Sequence, residues 1–191
     1  MKKAYKAYHH FKGNNLSPSE KIERLIVKLI LESPIPNNQR EDSVVFELKH
    51  SSGCIQIARI LAIKRGLNIE LAEVGSALHD IYVIMNGSYK DHAIKGGPIA
   101  EKILRQNGGF SDKKIKTIVD SVIHHSEKNI YSNNPYIELI KDVDAFDCSL
   151  YKGAEGDYRI NKSDQITEEY IKRIKKVRKE LGLGLYKIWR K

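Results

Sequence analysis

The chain has 191 residues, 41% of them hydrophobic and 30% charged, with 33 Lys and Arg against 24 Asp and Glu for a formal net charge of +9. That length suits one domain, or one domain with an appendage, and the apolar fraction is too high for wholesale disorder. No stretch approaches the roughly 18 consecutive apolar residues of a membrane span, and no apolar signal-peptide core follows MKKAYKAYHHFKGNN, so a cytoplasmic protein with no membrane partner is expected.

Residues 1–17 read as an N-terminal segment in which His9 and His10 could supply an additional metal contact, although a mobile terminus is the plainer reading. SPSEKIERLIVKLILE then opens with a cap at Ser17, Pro18 in the first turn and Glu20 three residues after the serine. Ile22, Leu25, Ile26 and Leu29 follow at helical spacing, which predicts a helix over 18–32. SPIPNNQRED breaks it with two prolines and an Asn pair, a loop placed to border a pocket. SVVFELKHSSGCIQIARILAIKRG carries a stripe of Cys54, Ile57, Ala58, Leu61 and Ala62 and stops at Gly66, with His50 one turn earlier. Cys54 and Cys148 have no CxxC spacing and read as small buried hydrophobes rather than metal or disulfide cysteines.

NIELAEVGSALHDIYVI is capped by Asn68 and striped by Leu71, Val74, Leu78 and Ile81, so His79 and Asp80 fall in the C-terminal half of a helix. After MNGSYK comes DHAIKGGPIAEKILRQNGG, a helix through Ile99, Ile103 and Leu104 with Pro98 placed to kink it. SDKKIKTIVDSVIHH is capped by Ser111 and lines up Ile115, Ile118, Val119 and Val122. PYIELIKDVDAFDCSLY turns Ile140, Val143 and Phe146 inward. KGAEGDYRINKSD reads as a polar connection. ITEEYIKRIKKVRKELG is a last helix with Tyr170, Ile174, Val177 and Leu181 on one side and Lys172, Arg173, Lys175, Lys176, Arg178 and Lys179 on the other. Trp189 is placed to tuck the C-terminus against the bundle. With no alternating strand and no repeat, the fold class is all-α: a helical core over 18–165 with a basic C-terminal helix over 166–191 packed on it. Loops at 33–43, 85–91, 106–111 and 152–165 are expected to shape any pocket.

Five of the seven histidines, His50, His79, His92, His124 and His125, fall on four consecutive predicted helices, and the carboxylate-rich KDVDAFD comes next. Helical bundles build metal sites in this way, from inward side chains on facing helices. A buried His-Asp pair also needs compensation, because an unpaired buried polar group costs several kcal/mol, roughly. Imidazole with carboxylate suits Mn, Fe, Co, Ni or Zn better than Ca, with Mg admissible, and a carboxylate such as Asp80 can bridge two cations. At 100° per residue Asp142 lies about 120° from the centre of the Ile140, Val143 and Phe146 face and reads as solvated, whereas Asp144 lies near that face's edge and Asp147 near its middle.

The order His50, His79-Asp80, His92, His124-His125, Asp144 resembles the HD superfamily of metal-dependent phosphohydrolases, and specifically its two-metal members, over about residues 44–150. The resemblance implies an HD-domain helical bundle in which His50, His79, Asp80 and Asp144 hold one divalent ion. Asp80 then bridges to a second ion held by His92, His124 and His125. VDAFDC is similar to the family's Ala-Asp-x-x-Asp segment, whose first aspartate is the ligand; that selects Asp144 and leaves Asp147 as a residue supporting the ligands. His79 and Asp80 would be central to catalysis.

The implied activity is hydrolysis of a phosphomonoester or phosphodiester, nucleotide-like, by a metal-held hydroxide, with Lys90 and Lys95 beside His92 as candidate phosphate contacts. Two departures narrow it. Branches with HDxxK place a phosphate-contacting lysine where this chain has Val83, and HHSEKNIYSNN lacks the glycine pair and Tyr-Pro of cyclic-di-GMP enzymes. Two alternatives stay open. Di-iron oxygenases share the fold and its ligands, and the basic last helix could bind nucleic acid through phosphate contacts or be an ordinary solvated face.

Overall fold

The structure is a computed structural model and describes residues 11–191. His9 and His10 lie outside the described residues. Nine α-helices and one short 3-10 turn, with no strand among the described residues, make up the fold. In chain order the helices are α1 (Pro18–Leu31), α2 (Val44–Arg65), α3 (Ile69–Leu78), α4 (Ile81–Asn86), α5 (His92–Asn107), α6 (Asp112–His124), α7 (Pro135–Cys148), α8 (Ala154–Asn161) and α9 (Asp164–Glu180). No helix is long and apolar enough to cross a membrane among those residues.

Most starts are set by side chains that accept from otherwise unpaired backbone N–H groups. Ser17 forms a full capping box with Glu20 on α1, and Ser43, Asn68, Ser111, Asn134 and Ser163 cap α2, α3, α6, α7 and α9. Gly66 ends α2 in the left-handed region that a residue without Cβ adopts at little cost. Pro98 lies inside α5 without ending it.

Helix α3 is the hub. It packs against α1, α2, α6 and α7, and every residue from Ala72 to Leu78 is buried. The helix does not run on through the His-Asp doublet as its periodicity predicts. It ends at Leu78, His79 is its C-cap, and Asp80 leaves helical geometry at φ −103° and ψ 24° before α4 begins. Leu78 and Ile81, both fully buried, grip the two sides of the break, each worth about 2 kcal/mol of apolar burial. The doublet therefore sits at a helix end in the middle of the molecule.

Three further expectations change. Residues 154–161 form α8 rather than a polar connection, anchored by Tyr158, which packs on Tyr170 and on Trp189; the edge contact with Trp189 and a hydrogen bond from Arg190 N to Ser149 O hold the C-terminus. Asp142 is fully buried rather than solvated, because α9 covers that side of α7: it accepts from Arg173, Lys176 and Arg65 at 2.7–2.8 Å. For the same reason α9 does not present six free cations. Arg173 is buried on Glu138, Asp142 and the Lys128 carbonyl, and Lys172 pairs with Glu169. Lys175 and Lys179 remain exposed. Cys54 is buried as expected, and Cys148 is partly covered.

Between α1, α2 and α3 the buried carboxylates of Glu23 and Glu73 share one cation, Arg59. Its Nε donates to Glu73, leaving Glu23 Oε1 3.8 Å from Nη2 and without a hydrogen bond. Burial, then the charge of Glu73, pushes the Glu23 carboxyl from 4.5 up to about 7. Folded Glu23 thus holds its proton more tightly than the unfolded chain does. The stability this contributes is intact below about pH 4.5 and is lost as pH rises to about 7, at a cost of up to about 3 kcal/mol. Glu23→Gln is expected to raise the unfolding midpoint at pH 8 and to change it little at pH 4; equal effects at both pH values in thermal melts would refute this account.

Candidate metal centre and its cavity

Five helices and their ends deliver one cluster. His50 comes from the middle of α2, His79 and Asp80 from the break after α3, His92 from the first residue of α5, His125 from the residue after α6, and Asp144 from α7. The residue before His92, Asp91, takes a left-handed φ of 56°, which is uncommon outside glycine. Close approach of α5 to α6 brings His92 to His125, and it depends on Gly97: a Cβ there would lie 2.6 Å from Ile123 Cγ1.

The four rings of the cluster are oriented alike. Nδ1 of His79 lies 2.7 Å from Ser76 O, that of His92 2.8 Å from Tyr89 O, and that of His125 2.7 Å from Val122 O. Nδ1 of His50 lies 2.7 Å from Asp147 Oδ2. A carbonyl or carboxylate oxygen can only accept, so in the neutral rings each Nδ1 carries the proton and each Nε2 presents a lone pair. Those lone pairs meet in two couples: His50 Nε2 and His79 Nε2 are 3.1 Å apart, and His92 Nε2 and His125 Nε2 are 3.0 Å apart.

Each couple faces its own oxygen of Asp80. Oδ2 is 3.7 Å from His50 and 3.2 Å from His79; Oδ1 is 3.4 Å from His92 and 3.3 Å from His125. Asp144 Oδ1 completes the first group at 3.5 Å from His50 Nε2. Nitrogen lone pairs this close repel, and the buried Oδ1 of Asp80 has no hydrogen-bond donor. A cation between each couple and its carboxylate oxygen would turn both liabilities into bonds, so these residues fit divalent metal.

Asp80, Asp144 and His125 are in the forms a cation needs, whereas burial at His79 is outweighed by Asp80, which raises it. Burial alone would raise the carboxyl of Asp80, but His79 and His125 hold it well below the ordinary value; Lys128 and His50 likewise outweigh burial at Asp144. Burial, only partly opposed by Asp80, lowers His125 to about 4 and keeps it neutral. His50 differs. Burial disfavours its imidazolium, yet Cys54, Cys148, Asp144 and Asp147 together raise it well above the ordinary value. Burial keeps Cys54 a neutral thiol by pushing it up to about 12, so the two carboxylates carry that shift. A cation held at His50 would have to displace that proton, so affinity for it would rise with pH.

Two supports lie behind the ligands. Asp147 fixes the His50 ring, and Gly53 makes room for it, since a Cβ there would come within 2.1 Å of Asp147 Oδ1. Lys128, fully buried, donates to Asp144 Oδ2 and to the His125 carbonyl. Its own carbonyl accepts from Arg173 of α9 at 3.0 Å. Neither Gly53 nor Lys128 stands out in the sequence. The glycine lies mid-helix without a pattern, and a lysine is ordinarily read as surface.

Three residues singled out from the sequence stay outside. His124 turns to Glu127, its Nδ1 2.9 Å from Oε2 and its side chain 42% exposed, because it is one position and hence about 100° around from His125. Lys90 is exposed. Lys95 donates to the Lys90 carbonyl, pairs with Asp91 and lies over Tyr82. The cluster opens into a cavity of about 1050 Å³ whose wall includes five aromatic rings, Phe46, Tyr89, Tyr151, Tyr158 and Tyr170. The lysines on that wall are Lys152 and Lys162. Of the loops expected to shape a pocket, 33–43, 85–91 and 152–165 contribute and 106–111 does not.

A family model described as HD domain matches residues 48–149, more than half of the chain. The chain belongs to the HD domain family. Ribonuclease Y of Petrotoga mobilis is 28% identical to it over 131 residues, which are 68% of this chain and 22% of that protein. The chain thus spans about a fifth of that relative's length. No solved structure matches it. The match and the ligand geometry meet in the same segment, since His50 through Asp144 all fall within the HD domain.

Substituting Gly53→Ala tests the support behind His50. The added methyl is expected to displace Asp147 and weaken divalent-metal affinity about 10- to 100-fold, while alanine's better helix propensity leaves helical circular dichroism intact. Metal titration by calorimetry checks this, and wild-type affinity in the variant would show that Asp147 does not hold the ring.

Proposed function

We propose that this HD domain is a metal-dependent phosphohydrolase whose two divalent cations share Asp80, acting on a phosphomonoester or phosphodiester of nucleotide kind. The observation that carries the reading is the pairing of two imidazole couples with the two separate oxygens of one buried carboxylate. A single-ion site would need only one such couple, and a satisfied core histidine would not turn its lone pair toward another.

In this reading His50, His79 and Asp144 hold one ion, His92 and His125 the other, and Asp80 both. Bound there, the ions would supply Lewis acidity toward phosphoryl oxygens and activation of water near neutral pH. The protein's own part is positional. Asp147 and the Ser76, Tyr89 and Val122 carbonyls lock the four rings, and the Lys128 ammonium offsets the charge of Asp144. The aromatic wall offers stacking surface to a base, worth about 1–3 kcal/mol per base where such stacking occurs. The relative's name, a ribonuclease, is consistent with a phosphate ester that bears a nucleoside.

Metal analysis and turnover of an aryl phosphate, a bis-aryl phosphate and a nucleotide panel, with and without oxygen, test the proposal. About two ions per chain, loss of phosphate release on chelation, and turnover that persists without oxygen are expected. Asp80→Ala should lose metal and roughly 100-fold or more of activity, whereas His124→Ala should retain both. Full activity in Asp80→Ala, or phosphate release that ignores chelators, would dispose of it; iron-dependent oxygen consumption without phosphate release would move the chain to the oxygenases.

A further inference from the structure

We infer that Lys162, held over Tyr158 and Tyr170 on the cavity wall, is the cation that receives the substrate's phosphate; the inference rests on the phosphohydrolase reading. The position just after the doublet cannot serve, because Val83 is apolar and fully buried. The carboxylates on the cavity wall are Glu41, Asp42, Asp80, Asp144 and Asp157, and the lysines are Lys152 and Lys162. Five negative charges against two positive leave a formal −3 before any cation is bound. An anionic substrate therefore needs every positive group that the wall can offer.

The two lysines are not equivalent. Lys152 is exposed, and no ring or carboxylate holds it among the described residues. Lys162 is half-buried, with its ammonium 5.0 Å from the centre of the Tyr158 ring and 5.3 Å from that of Tyr170. Ring faces attract the charge without occupying its three N–H donors. No carboxylate lies within ion-pair distance of Lys162 among the described residues. The fully buried lysines, by contrast, are spent: Lys128 on Asp144 and the His125 carbonyl, Lys141 on Glu138 and the Ile130 carbonyl.

The seat also lies on the wall of the cavity into which the candidate metal centre opens. Tyr170 carries the Lys128 ammonium 5.4 Å from its ring centre, and that same ammonium donates to Asp144. Lys162 thus lines the same cavity as His50, Asp80, His92, His125 and Asp144, on the side formed by α8 and α9. Charge-assisted hydrogen bonds from an ammonium held in this way would bind ground state and transition state alike, so the effect belongs in KM and in product inhibition more than in kcat.

The test compares Lys162→Met, which keeps the length and the packing on both rings, with Lys162→Arg, which keeps the charge. In metal-loaded protein, Lys162→Met is expected to raise KM for an aryl phosphate and the inhibition constant of inorganic phosphate about tenfold or more, with metal content and kcat near wild type. Lys162→Arg should recover most of that loss, and Lys90→Ala should change nothing. An unchanged phosphate inhibition constant in Lys162→Met overturns the inference, as does a Lys162→Arg variant no better than Lys162→Met with both melting early. Should the wild type release no phosphate, the functional reading fails by itself. Calorimetry of inorganic phosphate on manganese-loaded protein still judges Lys162, and wild-type binding equal to that of Lys162→Met, or absent in both, counts against it.

Discussion

A single buried carboxylate organises this molecule. Asp80 is almost fully enclosed, ionised, and flanked on each oxygen by a pair of imidazole nitrogens whose lone pairs point at it and at each other. With its rings neutral nothing in such an assembly donates, and the proton that His50 retains relieves only one of the two couples. Its four rings are nonetheless fixed from behind by acceptors that leave no other tautomer. The chain spends stability on holding this geometry, which is the usual mark of a site built for something else to enter.

The helices can be read as the means of reaching Asp80 from several directions. α3 runs buried through the centre and stops at Leu78, immediately before the doublet, so that His79 and Asp80 leave the helix where α2, α5, α6 and α7 can all reach them. Small residues set the separations: Gly97 lets α5 close on α6, and Gly53 lets the Asp147 carboxylate approach α2. Outward from Asp144, the contacts pass to Lys128 and then through its carbonyl to Arg173, which is held by Asp142 and Glu138. The basic C-terminal helix is thereby tied to the candidate metal centre by buried charge. Removing one partner from such a network leaves an uncompensated ion and commonly costs about 3–5 kcal/mol.

The sequence carried the helix starts, the stripes and the order of His50, His79-Asp80, His92 and Asp144, because capping and periodicity are local and the ligands are chemically rare. It failed where the deciding partner is distant. Asp142 reads as solvated from the pattern of α7 alone; only α9 laid across it reverses that. His124 and His125 cannot be separated by residue type, and the end of α6 decides between them. Residues 154–161 show little periodicity because a single side chain, Tyr158, is buried there, and its partners Tyr170 and Trp189 come later in the chain. Lys90 and Lys95 are near His92 in sequence but are absent from the cavity wall, whereas Lys152 and Lys162 reach it from a segment that reads as connection.

Charge ties the two halves of the functional reading together. A cavity with five carboxylates and two lysines repels phosphate by itself, whatever the quality of its aromatic walls. Two divalent cations would add four positive charges and bring the formal wall charge from −3 to +1. Metal therefore does more than chemistry in this reading: it reverses the sign of the field that the substrate meets. By linkage, a phosphate that binds only the loaded cavity must tighten the metals by the same factor as they tighten it. The acidic wall would thus couple the two ligands, each raising the affinity of the cavity for the other.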